Sequence, residues 1–410
     1  MIKRRFTTDT LRIWVVVGVG LLSLILSKDV YAEKQSELNW PVVTKETRPW
    51  TYWWWMGSAV DKQNLTLNLE AYRKAGLGGV HIVPIYGVKG WEDRYIDYLS
   101  SQWLQMLAYT MTEAKGLDMG VDMSTGTGWP FGGPWLSIED SDSWVNFKTY
   151  SLNGGDRLDE KIGKERLDVV VAYSDKGQVV ELTGRVDPNG VLDWVAPAGK
   201  WEVYVVRHKW VRGKVNYAAP GGEGYHIDPF SNKSLMKYLR RFDEAFATYR
   251  GRPVRAFYHD SYEYWGNWTD DLFDEFKSHR GYDLREHLPA LFSKSENDEV
   301  GARVKCDYRE TMSDLLLERF IIPWVKWCHE KGSLARNQAH GSPCNIIDLY
   351  AAADIPETES YGPARFEIPG FACSRYRFQC CCGSTCVQIC LVSGPSGRAK
   401  TCLQRVMHLA

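Results

Sequence analysis

The sequence predicts an α/β protein built as an incomplete (β/α)8 TIM-type barrel of about six strands, with a small β-rich insertion. Three observations carry that expectation. Apolar runs of strand length alternate with capped helical stretches on either side of residues 144–225, which is the order of a parallel sheet with helical crossovers. Between those limits the pattern changes to short alternating segments broken by Gly and Pro. A third run, Ala256-Phe-Tyr-His-Asp-Ser-Tyr-Glu-Tyr-Trp265, passes from apolar strand into carboxylates and rings, as strand ends in such barrels do.

Taken in order, residues 1–32 read as a signal peptide. Lys3, Arg4 and Arg5 precede an apolar stretch from Ile13 to Leu26, and Val30-Tyr-Ala32 supplies a small-residue site for cleavage after Ala32. The stretch falls short of the ~20 apolar residues of a membrane span. A periplasmic or secreted protein with no membrane anchor after cleavage is expected. The first part of the barrel, 33–143, opens with Arg48-Pro-Trp-Thr-Tyr-Trp-Trp-Trp55 as a buried strand. A helix over 61–75 follows, capped by Asp61 and stopped by Gly76, then a strand over 79–85, a helix over 101–115 and a strand over 117–124. Thr125-Gly-Thr-Gly-Trp-Pro-Phe-Gly-Gly-Pro-Trp135 is a glycine-rich loop without the Lys-Ser/Thr of a phosphate loop, and its rings suggest a stiff aromatic wall. The insertion spans 144–225. The barrel continues over 226–370 with a helix over 232–249, the Ala256 strand, helical segments over 268–279 and 303–331 (Pro323 as a kink), a strand over 334–338, a short helix over 346–353 and a sixth strand over 355–359.

The 410 residues carry 50 basic and 51 acidic side chains, so no charge bias points to nucleic acid or an anionic membrane, and a neutral substrate fits. Eighteen Trp and 22 Tyr suit stacking on sugar C–H faces, although a large core would use them too. On the Ala256 strand Tyr258 and Asp260 share one face while Phe257 and His259 share the other, and Glu263 falls just beyond. Ringed by Tyr258, Tyr262, Tyr264 and Trp265, Glu263 is the candidate proton donor, its carboxyl expected to be kept protonated towards neutral pH by desolvation. Isolated, Asp260 and Glu263 would read equally well as loop or capping carboxylates. Glu357 and Glu359 share a face of the sixth strand. His81 and His259 read as core.

Six motifs in sequence resemble glycoside hydrolase family 106, the α-L-rhamnosidases. They are Arg48-Pro-Trp with Trp53-Trp-Trp-Met-Gly57, Leu69-Glu-Ala with Ala75-Gly-Leu-Gly-Gly79, Gly126-Thr-Gly-Trp-Pro-Phe-Gly-Gly-Pro134, Asp260-Ser-Tyr-Glu263, Gln338-Ala-His-Gly341 and Ala353-Asp-Ile-Pro-Glu-Thr-Glu359. The resemblance implies a (β/α)8 catalytic domain, export, a rhamnose-containing glycan as substrate, inverting hydrolysis of terminal α-L-rhamnosyl residues, and a calcium ion gripping vicinal hydroxyls. It places Glu263 as general acid, with Glu357 and Glu359 in sugar or calcium contact. Asp260, Tyr262, Trp265, His340, Asn337, Trp129 and Trp55 are expected to bind substrate. For His340 a hydrogen-bonded structural role reads equally well.

Three cysteines precede residue 370, while Cys373, Cys380, Cys381, Cys382, Cys386, Cys390 and Cys402 crowd 371–410, in a Ser- and Arg-rich tail without helical or strand period. A cysteine-ligated metal is disfavoured because no paired C-x-x-C pattern occurs. The tail departs from the family, whose members continue into a strand bearing a Ser-Glu motif. A frameshift near Phe371 is the expectation, since Gly397 to Arg405 can be back-translated so that a neighbouring frame reads Ala-Gly-Gln-Lys-Leu-Val-Ser-Ser-Glu. On that reading the chain has an acid without its base, open strand edges, and little activity. Two alternatives stand beside it. One is a retaining glycosidase with Glu359 as nucleophile, and the other a non-catalytic carbohydrate-binding remnant.

Overall fold

A computed structural model describes residues 42–295 and 297–358, and the backbone of 387–388, 390–393 and 399–402. The chain divides into two units, 1–44 and 45–410, and the described sheets and helices all belong to the second. The expected signal peptide with its cleavage site, Glu359, and most of the tail lie outside the described residues.

Six parallel strands make up most of the central sheet: β1 (Trp50–Met56), β2 (Gly79–Ile85), β3 (Gly120–Ser124), β10 (Ala256–His259), β11 (Leu334–Gln338) and β12 (Ile355–Thr358), in that spatial order, and the short Val387–Gln388 is the seventh. Aromatic and β-branched residues dominate β1 and β2, as suits a pleated surface buried on both faces. At the start of the sheet the Trp50 ring lies across Gly79 and Gly120. A Cβ at either would come within 2.4 Å or 2.2 Å of the indole, so only glycine lets the ring lie there. Among the described residues the sheet does not close, and β1 has one unpaired edge, with Trp54 and Met56 exposed. At the other end the sequence predicts β12 as an open edge, yet Glu357 and Thr358 pair with Val387–Gln388. The tail also carries an antiparallel pair, Cys390–Ser393 with Ala399–Cys402, where the sequence shows no strand period.

Helices cover one face of the sheet. Helix α1 (Lys62–Lys74) begins at Asp61, whose carboxylate accepts from the Asn64 amide at 2.9 Å, and α2 (Ser101–Gly116) begins at Ser100. After the insertion come α3 (Asn232–Ala247), α4 (Leu272–Arg280), α5 (Leu288–Phe292), α6 (Glu299–Leu316), α7 (Ile322–Glu330) and α8 (Ile346–Ala352). The sequence predicts one long helix kinked at Pro323. The helix does run unbroken, with a π-helical turn, Leu317–Ile321, joining α6 to α7 just ahead of Pro323, whose missing N–H the wider turn accommodates. Phe257 of β10 packs on Phe246 of α3 and Trp327 of α7, at 6.0 and 4.9 Å between ring centroids. Among the described residues no helix is long and apolar enough to cross a membrane.

The insertion is a four-stranded antiparallel sheet in the order β5 (Ser143–Asn153), β8 (Lys200–Trp210), β6 (Leu167–Ser174), β7 (Val179–Glu181). Alternation divides β6 between two cores. Val170 and Ala172 face a local cluster with Trp194 and Trp201, whereas Val169 and Val171 join the main core. A two-stranded ribbon of β4 (Gly132–Gly133) and β9 (Tyr225–His226) ties the glycine-rich loop to the segment returning from the insertion. The insertion is thus fixed at the carboxyl end of β3.

Candidate active site

The sheet face turned away from the helices carries Tyr52, His81, Asp122, Ser124, Tyr258, Arg336 and Glu357, drawn from all six strands. Arg336 is 1% exposed and forms ion pairs with Glu357 and with Asp122, the latter at 3.3 Å, while Arg255 donates to Asp122 at 2.8 Å. The other Glu357 oxygen accepts from Tyr258 at 3.3 Å and Tyr52 at 3.4 Å, and the two phenols bond each other at 2.8 Å. Burial raises the Glu357 carboxyl pKa, opposed by Arg336, and raises both phenols well above their ordinary range. Burial, with Arg336 and Arg255 nearby, holds His81 well below its ordinary value, so its ring is neutral and bonds Ser124 at 3.1 Å. These groups form one buried electrostatic network, in which Arg336 Nη2 and His81 Nδ1 lack a hydrogen-bond partner among the described residues.

Glu263 stands in different company. It lies beyond the carboxyl end of β10, partly buried, and one carboxyl oxygen accepts from the Trp129 indole N–H at 3.0 Å while the other accepts from the Asn216 amide at 2.8 Å. The Ser261 hydroxyl approaches the first oxygen at 3.4 Å. The segment after Glu263 is pinned by Asp142, whose Oδ2 accepts from the backbone N–H groups of Trp265 and Gly266, both at 2.9 Å. Burial raises the Asp142 carboxyl pKa and lowers that of neighbouring His226. Three chain segments therefore converge on Glu263: the glycine-rich loop, the return from the insertion, and the end of β10.

The predicted residues divide by place. Asp260 is partly buried, accepts from its neighbour Ser261 N–H at 2.8 Å, and lines a small cavity with Tyr258, Ser124, Thr125 and Trp129. Asn337 is fully buried and meets His259 and Tyr262. His259 is held neutral, its pKa pushed down to about 3 by burial, among Phe131, Tyr262, Phe320 and Trp324, in keeping with a core histidine. Tyr262 is buried, and its N–H donates to the His340 carbonyl at 2.8 Å. Trp265 is 60% exposed. Trp55, expected to touch substrate, is fully buried on the helix-covered face against Trp53 and Trp103, because residues 53 and 55 share the parity opposite to Tyr52. Glu357, expected at the mouth, is 1% exposed and engaged by Arg336 and the two phenols. Among the described residues no group of three or more His, Cys, Asp or Glu is placed to hold a metal ion.

Sequence reasoning misses Asn216, Asp142 and Arg336. Arg336 and Asp122 have a readable signal, a charge in the middle of an otherwise buried strand. Asn216 has none, since it reaches Glu263 across 47 residues.

A carboxyl group with one neutral donor on each oxygen, at the rim of a ring-lined hollow, has the placement of a general acid or base.

Residues 42–171 and 165–361 match the family model of glycosyl hydrolase 106, alpha-L-rhamnosidase. A "Putative beta-glucuronidase" of Formosa agariphila is 26% identical over 396 residues, covering 83% of this chain and 34% of that protein. The solved rhamnosidase from Novosphingobium sp. PP1Y superposes with a TM-score of 0.68 at 17% identity, over 80% of this chain and 50% of that one. The chain thus spans a third to a half of the length of these relatives.

Proposed function

We propose, because this chain belongs to glycosyl hydrolase family 106, the α-L-rhamnosidases, that it hydrolyses terminal α-L-rhamnosyl residues with inversion at the anomeric carbon. The observation that carries the reading is Glu263, held at the carboxyl end of β10 by Trp129 and Asn216. In the proposed step the glycosidic C1–O bond breaks as the Glu263 carboxyl delivers its proton to the departing oxygen. A water attacks C1 from the opposite face and loses a proton to a second carboxylate about 6.5–9.5 Å from the first. The Asn216 amide can present either its N–H or, turned over, its oxygen to Glu263, so the same contact serves the carboxylate and the acid.

Glu357 is a poor second carboxylate, because its oxygens are already engaged. Glu359, two residues further along the chain, is the carboxylate assigned to the sugar in this scheme. Asp260 and His340 at the neighbouring strand ends complete the subsite. The six parallel strands and their helices are read as part of a (β/α)8 barrel. Export after cleavage at Ala32 belongs to the same proposal and rests on the basic and apolar run at the amino terminus. Calcium belongs to it as a family expectation. Among the described residues no group of three or more His, Cys, Asp or Glu is placed to hold it.

Weak turnover is proposed for the 410-residue chain, since the described sheet is open at β1 and Glu357 is locked away. The test is release of p-nitrophenol from its α-L-rhamnoside and, in parallel, from its β-D-glucuronide. Glu263→Gln should lower the rhamnoside rate about 10²–10⁴-fold. Proton NMR of the first product should show β-L-rhamnose. First-formed α-L-rhamnose would mean retention, binding without hydrolysis would mean a remnant, and preference for the glucuronide would overturn the substrate.

A further inference from the structure

Three aromatic rings from separate segments meet beside Glu263. Trp129 comes from the glycine-rich loop, Tyr86 follows β2, and Tyr217 lies on the segment returning from the insertion. Ring centroids of Trp129 and Tyr217 are 4.9 Å apart, and those of Tyr86 and Tyr217 5.7 Å. Tyr217 is 55% exposed and Tyr86 47%, so the outer part of this wall faces solvent.

The wall is rigid as well as open. Tyr86 N–H donates to the Tyr217 carbonyl at 3.0 Å, and Trp129 and Asn216 exchange two backbone bonds at 3.2 and 2.8 Å. A Cβ at Gly128 would lie 1.8 Å from the Asn216 carbonyl oxygen, so glycine is what allows loop and strap to touch. Tyr217 itself has φ +56°, a conformation bulky side chains rarely hold and one that clusters at ligand sites. Two apolar rings fixed in the open by such a backbone do little for the core. They suit a flat ligand.

Position says which part of the ligand. Trp129 shares its indole N–H with Glu263 and its ring with Tyr217, and Asn216, the residue before Tyr217, holds the other Glu263 oxygen. The small cavity beside Asp260 and Tyr258 also borders Trp129. With Glu263 as acid, the reading on which this inference rests, its proton goes to the oxygen that leaves, so a surface fixed to the acid lies beside the departing group. We propose that Tyr217 and Tyr86 form a leaving-group subsite that stacks on a flat apolar face, either a sugar ring or an aromatic aglycone.

The experiment is calorimetry on the full chain carrying Glu263→Gln, which slows turnover enough for binding to be read first. Four probes are compared: methyl α-L-rhamnoside, p-nitrophenyl α-L-rhamnoside, α-L-rhamnosyl-(1→6)-glucose and p-nitrophenyl β-D-glucoside. At least one of the two larger rhamnosides should bind about tenfold tighter than the methyl glycoside, the scale of one aromatic stacking contact. A gain for the p-nitrophenyl compound marks an aromatic leaving group, and a gain for the disaccharide a sugar. Tyr217→Leu should remove the gain and leave the methyl glycoside unchanged, while Tyr217→Phe should keep it. Persistence of the gain in Tyr217→Leu, absence of any gain, or no binding by any probe overturns the subsite. Tyr217-dependent binding of p-nitrophenyl β-D-glucoside without binding of methyl α-L-rhamnoside keeps the platform and sinks the rhamnosyl reading.

Discussion

Two glutamates sit at strand ends on either side of β11, and they have opposite surroundings. Glu357, on β12, is sealed at 1% exposure against Arg336 and two phenols, and Arg336 in turn binds Asp122. Glu263, beyond β10, touches only neutral donors and lies at the rim. A buried carboxylate with a guanidinium partner has its charge committed to the fold, whereas one held at the rim by an indole and an amide has no fixed counter-charge and is open to a substrate. The partner, more than the residue type, separates structure from chemistry.

The sharpest way to break this comparison is to remove Arg336. Arg336→Met leaves Asp122 and Glu357 buried without their shared cation, which should cost about 3–5 kcal/mol in urea unfolding. Loss of less than about 1 kcal/mol would mean the network is solvated and the contrast with Glu263 is false.

Next comes the pair of amides. Glu357→Gln should cost about 1–3 kcal/mol, because Arg336 loses one of two partners in the interior. Glu263→Gln should change stability by under about 1 kcal/mol while removing the acid. Equal destabilisation by the two would erase the distinction.

How much of the site is legible in the sequence follows from the same contrast. The alternation on β10 places Tyr258 and Phe257 on opposite faces from sequence alone, since strand parity is a local property, and Glu263 follows from its place at a strand end. Trp55 is misplaced by such reasoning because parity says that residues 53 and 55 share a face without saying which face the helices cover. Glu357 reads as mouth-facing because its cation, Arg336, is 21 residues away on a neighbouring strand. Asn216 and Tyr217 are invisible for the same reason at greater range. They meet Glu263 and Trp129 only once the insertion has folded back, and no period in the sequence encodes that return.

A smaller effect tests the rim. Trp129→Phe keeps a ring against Tyr217 but deletes the N–H that holds Glu263, so turnover should fall about tenfold with stability nearly unchanged. A fall in stability exceeding the fall in rate would make Trp129 a core residue that happens to touch the acid.

The joint between insertion and sheet domain sharpens the comparison from a third side, because there a titrating cation replaces the fixed one. His208 on β8 bonds Asp168 at 2.7 Å and Asp270, ahead of α4, at 3.1 Å. Burial lowers the imidazole pKa, but the two carboxylates outweigh it and raise it to about 9. The folded value thus lies above the unfolded 6.5, so the stabilisation is complete below about pH 6.5 and fades as pH rises through 9. Asp270 is 87% exposed, which screens its share, so about 1–2 kcal/mol is expected. Unfolding of the protein and of His208→Gln at pH 6 and at pH 9.5 should therefore show a gap that narrows by that amount. The Arg336→Met gap should not narrow over the same range, since a guanidinium keeps its proton throughout and the carboxylates it leaves behind become costlier to bury as pH rises. A His208 gap independent of pH would mean that folding leaves the imidazole at its unfolded pKa, and that the two carboxylates add nothing to the joint.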